Sequence, residues 1–381
     1  LKPFGAEAER LVRADGSKPT AVAMSGGVDS SVAAWLLASE GRPLVGFSMQ
    51  LIDRLAGAAE RYGRCCSPDD FRDARAVADR IGFPHYVLDM EEDFHRDVLQ
   101  PFAEEYAAGR TPSPCVRCNT HVKFGALLAR ARAVGSETVA TGHYAILEPD
   151  RASGRTLLRR ARDRDKDQSY FLFDLSEEQR RRAEFPLGRL TKREVREMAR
   201  EQGMAAALKP GSMDLCFVAR DEDYRGFLDR RGAGCPDAAG TIVNRAGEVL
   251  GRHGGVRRFT VGQRRGLGVR AARPLYVLAI EPEAGRVVVG HEEELYVDRC
   301  VIERSRWIPF DRPAGELRAT VRIRSTQEGA PATVRGLGDG GAEIRFDEPQ
   351  RAVTPGQAAV AYDGDLVLGG GWIAAQGRSP C

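Results

Sequence analysis

The chain has 381 residues, 42% of them hydrophobic and 29% charged, which is the composition of a folded globular protein and excludes a disordered chain, a collagen-like fibre and a small disulfide scaffold. No apolar run approaches the roughly 20 residues that span a bilayer, and 57 Lys and Arg against 54 Asp and Glu leave a net charge of +3, which neither requires nor excludes a nucleic-acid partner. At roughly 150 residues per domain, the length predicts two or three domains.

In chain order, the first third alternates strand and helix. Thr20 to Met24 is a short apolar run, and Val28, Val32, Trp35 and Leu36 then repeat at helical spacing. Leu44 to Met49 is the second strand, with Ala74, Val77, Ala78 and Ile81 marking the next helix. His85 to Leu88 is the third strand, and Glu91 to Ala107 the third helix. Gly109 to Cys118 is expected to be a loop. Phe124, Leu127, Leu128 and Ala131 form another stripe, and Thr138 to Thr141 a further strand. This alternation predicts an α/β domain on a parallel sheet. Past about residue 225 the pattern becomes β: hairpins turning near Arg245-Ala246-Gly247 and Glu283-Ala284-Gly285, and a tight turn at Asp363-Gly364. The expected organisation is an N-terminal extension (1–19), a catalytic domain (20–225), a small β-rich domain (226–297) and a C-terminal β-barrel (298–381).

Ser25-Gly26-Gly27-Val28-Asp29-Ser30-Ser31 lies between the first strand and its helix. Glycines let backbone N–H groups approach a ligand, the helix N-terminus adds positive potential, and the serines add donors, which together suit a pyrophosphate. Asp29 would repel a bare phosphate and makes sense beside Mg²⁺ or a water it positions. No Gly-Lys-Ser/Thr pair is present, so this is not a Walker loop. The string Ala23-Met24-Ser25-Gly26-Gly27-Val28-Asp29-Ser30 resembles the signature of the N-type ATP pyrophosphatases. That resemblance implies cleavage of ATP between its α and β phosphates and adenylation of a carbonyl oxygen.

Of the eight cysteines, Cys115 and Cys118 sit in a polar, Pro-rich stretch, Gly109 to Asn119, and Cys216 lies between Leu215 and Phe217. Leu1 to Gly16 lacks the apolar stretch of a secretory signal, so the cytoplasm is the expected compartment and structural disulfides are not expected. Asn119 reads as the N-cap of the Phe124 helix, which would put Cys118 just before a helix N-terminus, where a thiolate is stabilised. A structural zinc site would want a second Cys pair at similar spacing, and none exists. Cys65 and Cys66 have no assigned role. Arginines cluster at Arg151 to Arg164, Arg180 to Arg182 and Arg252 to Arg265; each cluster reads either as solvated surface or as a phosphate-facing patch. Phe259 to Val269, rich in Gly and Arg, fits a loop against an RNA backbone.

From about Thr20 to Ile373 the chain resembles the bacterial tRNA-specific 2-thiouridylases. The strings that carry the resemblance are Ser25 to Ser31, Gly109 to Pro112, Cys118-Asn119 with Lys123-Phe124, Thr141 to Tyr144, Lys166 to Leu172, Cys216-Phe217, Gly262 to Gly268 and Thr354 to Gln357. The resemblance implies that Cys118 is the nucleophile, that Cys216 carries a persulfide, and that the two close a disulfide in each cycle. It implies ATP contacts at Ala23, Met24, Ser25, Gly26, Gly27, Val28, Asp29, Ser30, Met49 and Gly142, with Mg²⁺. It implies tRNA contacts at His143, Lys166, Asp167, Gln168, Arg324, Ser325 and Gln357, and a target-base pocket around Ser113, Pro114 and Cys115. The expected reaction is 2-thiolation of the wobble uridine (U34) in the tRNAs for Lys, Glu and Gln, with sulfur from a cysteine desulfurase or a relay protein. Many members of that family have Asp at the position of Cys115. A Cys there would allow a three-thiolate site, Cys115, Cys118 and Cys216, of the kind that holds an iron–sulfur cluster. Two other classes stay open on the residues alone: a pyrophosphatase-loop amide synthetase, which needs neither Cys118 nor Cys216, and a thiolate-metal RNA-binding protein without ATP chemistry.

Overall fold

A computed structural model of the chain describes residues 18–52, 67–208, 215–218, 223–230 and 238–375. The chain divides into two compact units, one of Leu1–Val98 with Cys115–Asp223, the other of Leu99–Pro114 with Tyr224–Cys381. Cys65, Cys66, Ser212, Met213, Asp214, Cys235 and Cys381 lie outside the described residues.

The first unit is built on five parallel strands: β1 (Thr20–Ala23), β2 (Leu44–Gln50), β3 (His85–Asp89), β4 (Val139–Ala140) and β7 (Ala183–Glu184), in the order β3-β2-β1-β4-β7. An antiparallel hairpin, β5 (Ala145–Asp150) with β6 (Arg155–Arg160), lies between β4 and β7 in the chain. The alternation seen in the sequence is therefore a parallel sheet. Its strands read as apolar runs because they are covered: Ala21, Val22, Val45 and Val139 have no exposed surface. The helix Val28–Ser39 is buried on two sides. Ala34 and Leu37 pack with Val22, Ala74 and Ala78, and Val28, Val32 and Ala33 pack with Val195 and Ala199. Burial of each large apolar side chain contributes roughly 1.5–3 kcal/mol.

Helix starts follow side-chain chemistry. Ser67 with Asp70, Ser176 with Gln179 and Thr191 with Glu194 are reciprocal capping boxes that open the helices Pro68–Ile81, Glu177–Arg182 and Lys192–Glu201. Gln179 does more: its Nε2 donates to the Thr120 and Phe124 carbonyls at 2.7 and 3.0 Å. Those two carbonyls belong to a π-helical stretch, Cys118–Ala126.

In the second unit, β8 (Gly240–Val243), β9 (Val249–His253), β10 (Tyr276–Glu281) and β11 (Arg286–Gly290) form a small sheet, β10-β11-β8-β9, with the β8–β11 pair parallel. Both hairpins turn where expected. β12 (Tyr296–Trp307), β13 (Glu316–Arg322), β14 (Ala330–Gly336), β15 (Ala342–Arg351), β16 (Ala358–Asp363) and β17 (Leu366–Ile373) run β12-β15-β14-β13-β16-β17, and a β12–β17 pairing closes them into a six-stranded barrel. Ile302, Val321, Val334, Ile344, Phe346, Ala361 and Leu368 are in its core.

Residues 99–114 group with this second unit. Phe102 meets Phe227 edge-on at 6.2 Å, Tyr106 stacks on Tyr224 at 4.5 Å, and the Thr111 N–H donates to the Pro355 carbonyl at 2.8 Å. Sequence periodicity carries no information about which aromatic partners a helix finds. Among the described residues, no helix is long and apolar enough to cross a membrane.

Candidate active site

β1 ends at Ala23, and the chain turns through Gly26 at φ +67° into the helix Val28–Ser39. Gly26 lies in the left-handed region, and a Cβ there would collide with the Asp70 carbonyl. The hydroxyls of Ser30 and Ser31 donate to the Gly27 carbonyl at 3.1 and 2.9 Å, and the Ser25 N–H donates to Ser30 Oγ at 3.2 Å. The serines thus brace the loop from within. Gly27 supplies no side-chain cap to the helix, which leaves its first-turn N–H groups for an anion. Met24 is buried, Ser25 is exposed, and Met49 is partly exposed near the end of β2.

The strand order reverses between β1 and β4, the place where open parallel sheets hold ligands. Gly142 follows β4, and a Cβ on it would stand 2.8 Å from the Asp29 carbonyl carbon and the Ser30 nitrogen. Only a glycine lets this segment lie against the loop. Next to it, the Tyr144 hydroxyl donates to Asp29 Oδ1 at 2.8 Å. Burial, followed by the Asp29 charge, raises the Tyr144 phenol pKa, so the hydroxyl stays a donor. Lys192, the first residue of its helix, places Nζ 2.6 and 2.7 Å from the two Asp29 oxygens. Sequence reasoning missed Lys192. Its one signal was the box Thr191-x-x-Glu194, which marks a helix start but names no partner.

The expected loop from Gly109 to Cys118 ends early. Pro114 opens a helical turn, Pro114–Arg117, and the π stretch follows directly. Pro at a first helical position explains the start. Asn119 is therefore inside the helix and is not its N-cap, and Cys118 sits one turn in. The Asn119 side chain donates to the Phe171 carbonyl at 3.1 Å and accepts from Lys123 Nζ at 3.0 Å. Cys118 is buried; Cys115 and Cys216 are partly exposed. One short helical segment meets a chain neighbour of each expected reactive cysteine. Phe217 packs edge-on against Phe94 at 5.9 Å, and Arg117 Nε donates to the Asp97 carbonyl at 2.8 Å. Among the described residues, no three His, Cys, Asp or Glu side chains stand together as a metal-ligand set, so the Cys115, Cys118 and Cys216 triad that a cluster would need is not assembled.

His143 is 7% exposed. It bonds Thr141 Oγ1 through Nδ1 at 2.6 Å, Lys123 Nζ lies 3.4 Å from Nε2, and its ring packs on Phe124 and Phe185. Burial and the Lys123 charge hold its pKa well below the usual histidine value. Within the segment expected to meet tRNA, Lys166 alone is exposed. Asp167 accepts from Arg160 Nε, the Ala161 N–H and the Ser169 N–H and hydroxyl. Gln168 bonds the Tyr144 backbone.

In the second unit, Gln357 Nε2 donates to the carbonyls of Thr111 and Pro112 at 3.0 and 3.1 Å, Arg324 donates to the Ala352 carbonyl at 2.7 Å, and the Ser325 carbonyl accepts from Arg322. Ser113 and Pro114 are buried. The first two arginine clusters are largely matched by acids. Arg159 pairs with Glu148, Arg162 with Glu194, Arg181 with Glu177 and Arg182 with Glu137, while Arg180 is buried and bonds the Thr156 carbonyl. Arg264 and Arg265 are exposed on a turn whose Val261 and Leu267 are buried.

Three family descriptions match in succession: a tRNA methyl transferase HUP domain over residues 18–220, a tRNA methyl transferase PRC-barrel domain over 226–291 and an aminomethyltransferase beta-barrel domain over 297–373. Among curated relatives, a tRNA-specific 2-thiouridylase of Acidobacterium capsulatum is 52% identical, covering 93% of this chain and 98% of the relative. The enzymes of that name from Koribacter versatilis and Solibacter usitatus are each 49% identical, covering 94% and 93% of this chain and 99% of their own.

Proposed function

We propose a site mechanism on one premise: the chain belongs to the tRNA-specific 2-thiouridylase family. It is an ATP-dependent sulfurtransferase with tRNA 2-thiouridylase activity. In our reading ATP lies along Ala23–Ser30, Met49 and Gly142. The wobble uridine leaves its stack to enter the site, and its C2 oxygen attacks the α-phosphate, releasing pyrophosphate. The terminal sulfur of a Cys216 persulfide attacks C2, and AMP leaves with the oxygen. Cys118 thiolate then attacks Cys216 Sγ. The S–S bond of the adduct breaks, 2-thiouridine is released, and a Cys118–Cys216 disulfide remains for an external dithiol to reduce.

The observation that carries the sulfur assignment is the shared tether. Phe217 on Phe94 and Arg117 on the Asp97 carbonyl bring the chain neighbours of Cys216 and Cys118 to residues one turn apart, which supports pairing the two thiols in one reaction. Lys166, Arg324, Ser325 and Gln357 are proposed for tRNA docking, with His143, Asp167 and Gln168 acting from beneath by holding Lys123, the 160–169 loop and Tyr144. Ser113, Pro114 and Cys115 are proposed to border the target base. Mg²⁺ would travel with the nucleotide. Asp29 is the carboxylate of the loop, and Lys192 takes both its oxygens. The tRNAs for Lys, Glu and Gln as substrates, a cysteine desulfurase or relay protein as donor, and a cytoplasmic site of action complete the proposal. The test is mass spectrometry of nucleosides from tRNA incubated with the protein, ATP and a persulfide donor. 2-Thiouridine formed by the native chain and lost in Cys118→Ser and Cys216→Ser is the expected result; thiolation that survives both replacements would sink the mechanism.

A further inference from the structure

The nucleotide loop carries an internal conflict of charge. A helix N-terminus presents about half a positive unit to an incoming anion. Asp29 lies in the first turn of the helix Val28–Ser39 and brings a full negative unit to the same place. The sum is about −0.5, the wrong sign for a polyphosphate. Lys192 returns it to about +0.5, since its ammonium touches both Asp29 oxygens at 2.6 and 2.7 Å. Fold stability does not account for this pair. The side chains are 15% and 30% exposed, and partly wet ion pairs contribute little net stability. The pair is nevertheless held in place from several sides. The Lys192 N–H donates to Asp163 Oδ2 at 2.8 Å, Thr191 and Glu194 fix the helix start, the Tyr144 hydroxyl holds Asp29 Oδ1, and the Lys192 ammonium lies 5.8 Å from the Tyr144 ring centre.

We propose that Lys192 is a positioning residue of the nucleotide site, which acts through Asp29: by cancelling the carboxylate charge it makes the Ser25–Ser31 loop receptive to the ATP phosphates. This rests on the reading of that loop as the ATP site. Asp29, so held, becomes a fixed neutral pair that spaces the loop from the Gly142 segment, and the phosphate-facing potential comes from the helix.

The test is equilibrium binding of α,β-methylene-ATP to the full chain, by calorimetry in EDTA so that no metal screens the carboxylate. Lys192→Met should weaken binding roughly tenfold or more, as expected for an uncompensated charge several ångströms from the phosphates. Lys192→Arg should stay within a few-fold of the native chain. Adding Asp29→Asn to Lys192→Met removes the charge that needed cancelling and should recover most of the lost affinity. Asp29→Asn alone leaves the Lys192 charge uncancelled and should bind more tightly than the native chain, which keeps the question answerable if Lys192→Met does not fold. A double variant as weak as Lys192→Met would mean that the ammonium acts on the nucleotide itself and would overturn the proposal, as would native-like binding by Lys192→Met or a tenfold loss in Asp29→Asn. Failure of the native chain to bind the analogue would instead overturn the ATP-site reading.

Discussion

Gln168 and Tyr144 clasp each other through the backbone: the Gln168 N–H donates to the Tyr144 carbonyl at 2.8 Å, and the Tyr144 N–H donates to Gln168 Oε1 at 2.9 Å. The Tyr144 hydroxyl in turn holds Asp29. The segment proposed to lie under tRNA is thereby fastened to the loop proposed to hold ATP. Gln168→Met keeps the side-chain volume but removes the acceptor for an N–H on a residue only 3% exposed. It should cost roughly 1–3 kcal/mol by urea denaturation, and Gln168→Glu, which keeps an acceptor, should recover most of it. Equal stability of all three would show that the clasp contributes nothing.

Gly142→Ala puts a methyl group 2.8 Å from the Asp29 carbonyl carbon and the Ser30 nitrogen. Both are backbone, so the loop itself must shift. ATP-dependent pyrophosphate release should fall at least about 100-fold, while tRNA retention on filters stays within a few-fold. A Gly142→Ala protein with ordinary turnover would separate this glycine from the nucleotide loop.

Cys115, Cys118 and Cys216 are not gathered as a ligand set. Cys115→Ser should therefore keep much of the activity, whereas Cys118→Ser and Cys216→Ser should each abolish it. Anaerobic purification with iron analysis checks the same point, since stoichiometric iron together with an inactive Cys115→Ser would restore the cluster.

Most arginines of the first two clusters are held by carboxylates, so the salt dependence of tRNA binding should be carried by the exposed set. Each phosphate contact contributes a log–log slope of about −0.7 to −0.9. Replacing both Arg264 and Arg265 by Ala should flatten the slope by about 1.5 units, measured between low and moderate ionic strength. An unchanged slope would leave those residues as solvated surface.

His85 Nδ1 is buried and without a partner, while Nε2 meets Ser48 Oγ at 2.9 Å. Burial, and then the Arg75 charge, push its pKa down to about 4. A depressed histidine leaves the unfolded chain with more bound protons below pH 6.5. Its stabilising contribution is thus full above about 6.5 and is lost as the pH falls towards 4. Discounted for its partial exposure, the loss is on the order of 1–2 kcal/mol. His85→Gln should flatten the fall in urea midpoint between those pH values.

The sequence by itself determined the elements and their order. Alternating apolar runs and helical stripes gave the parallel sheet, because strands covered on both faces must be apolar throughout, and Gly-containing turns gave the hairpins. It also marked Ser25–Ser31, since a strand–glycine–helix junction has few other uses, and it marked the cysteines through their resemblance to a known family. What only the tertiary structure decided were the partners. Asn119 reads as a cap in one dimension, yet Pro114 starts the helix earlier and Asn119 is spent on Phe171 and Lys123. His143 and Asp167 carry polar side chains that suggest exposure, but both side chains are buried and bonded to protein groups. Lys192 is 163 residues from Asp29 in the chain, and no local pattern links them. An ion pair is a property of two positions in space, and chain order does not encode which distant helix start a loop will meet.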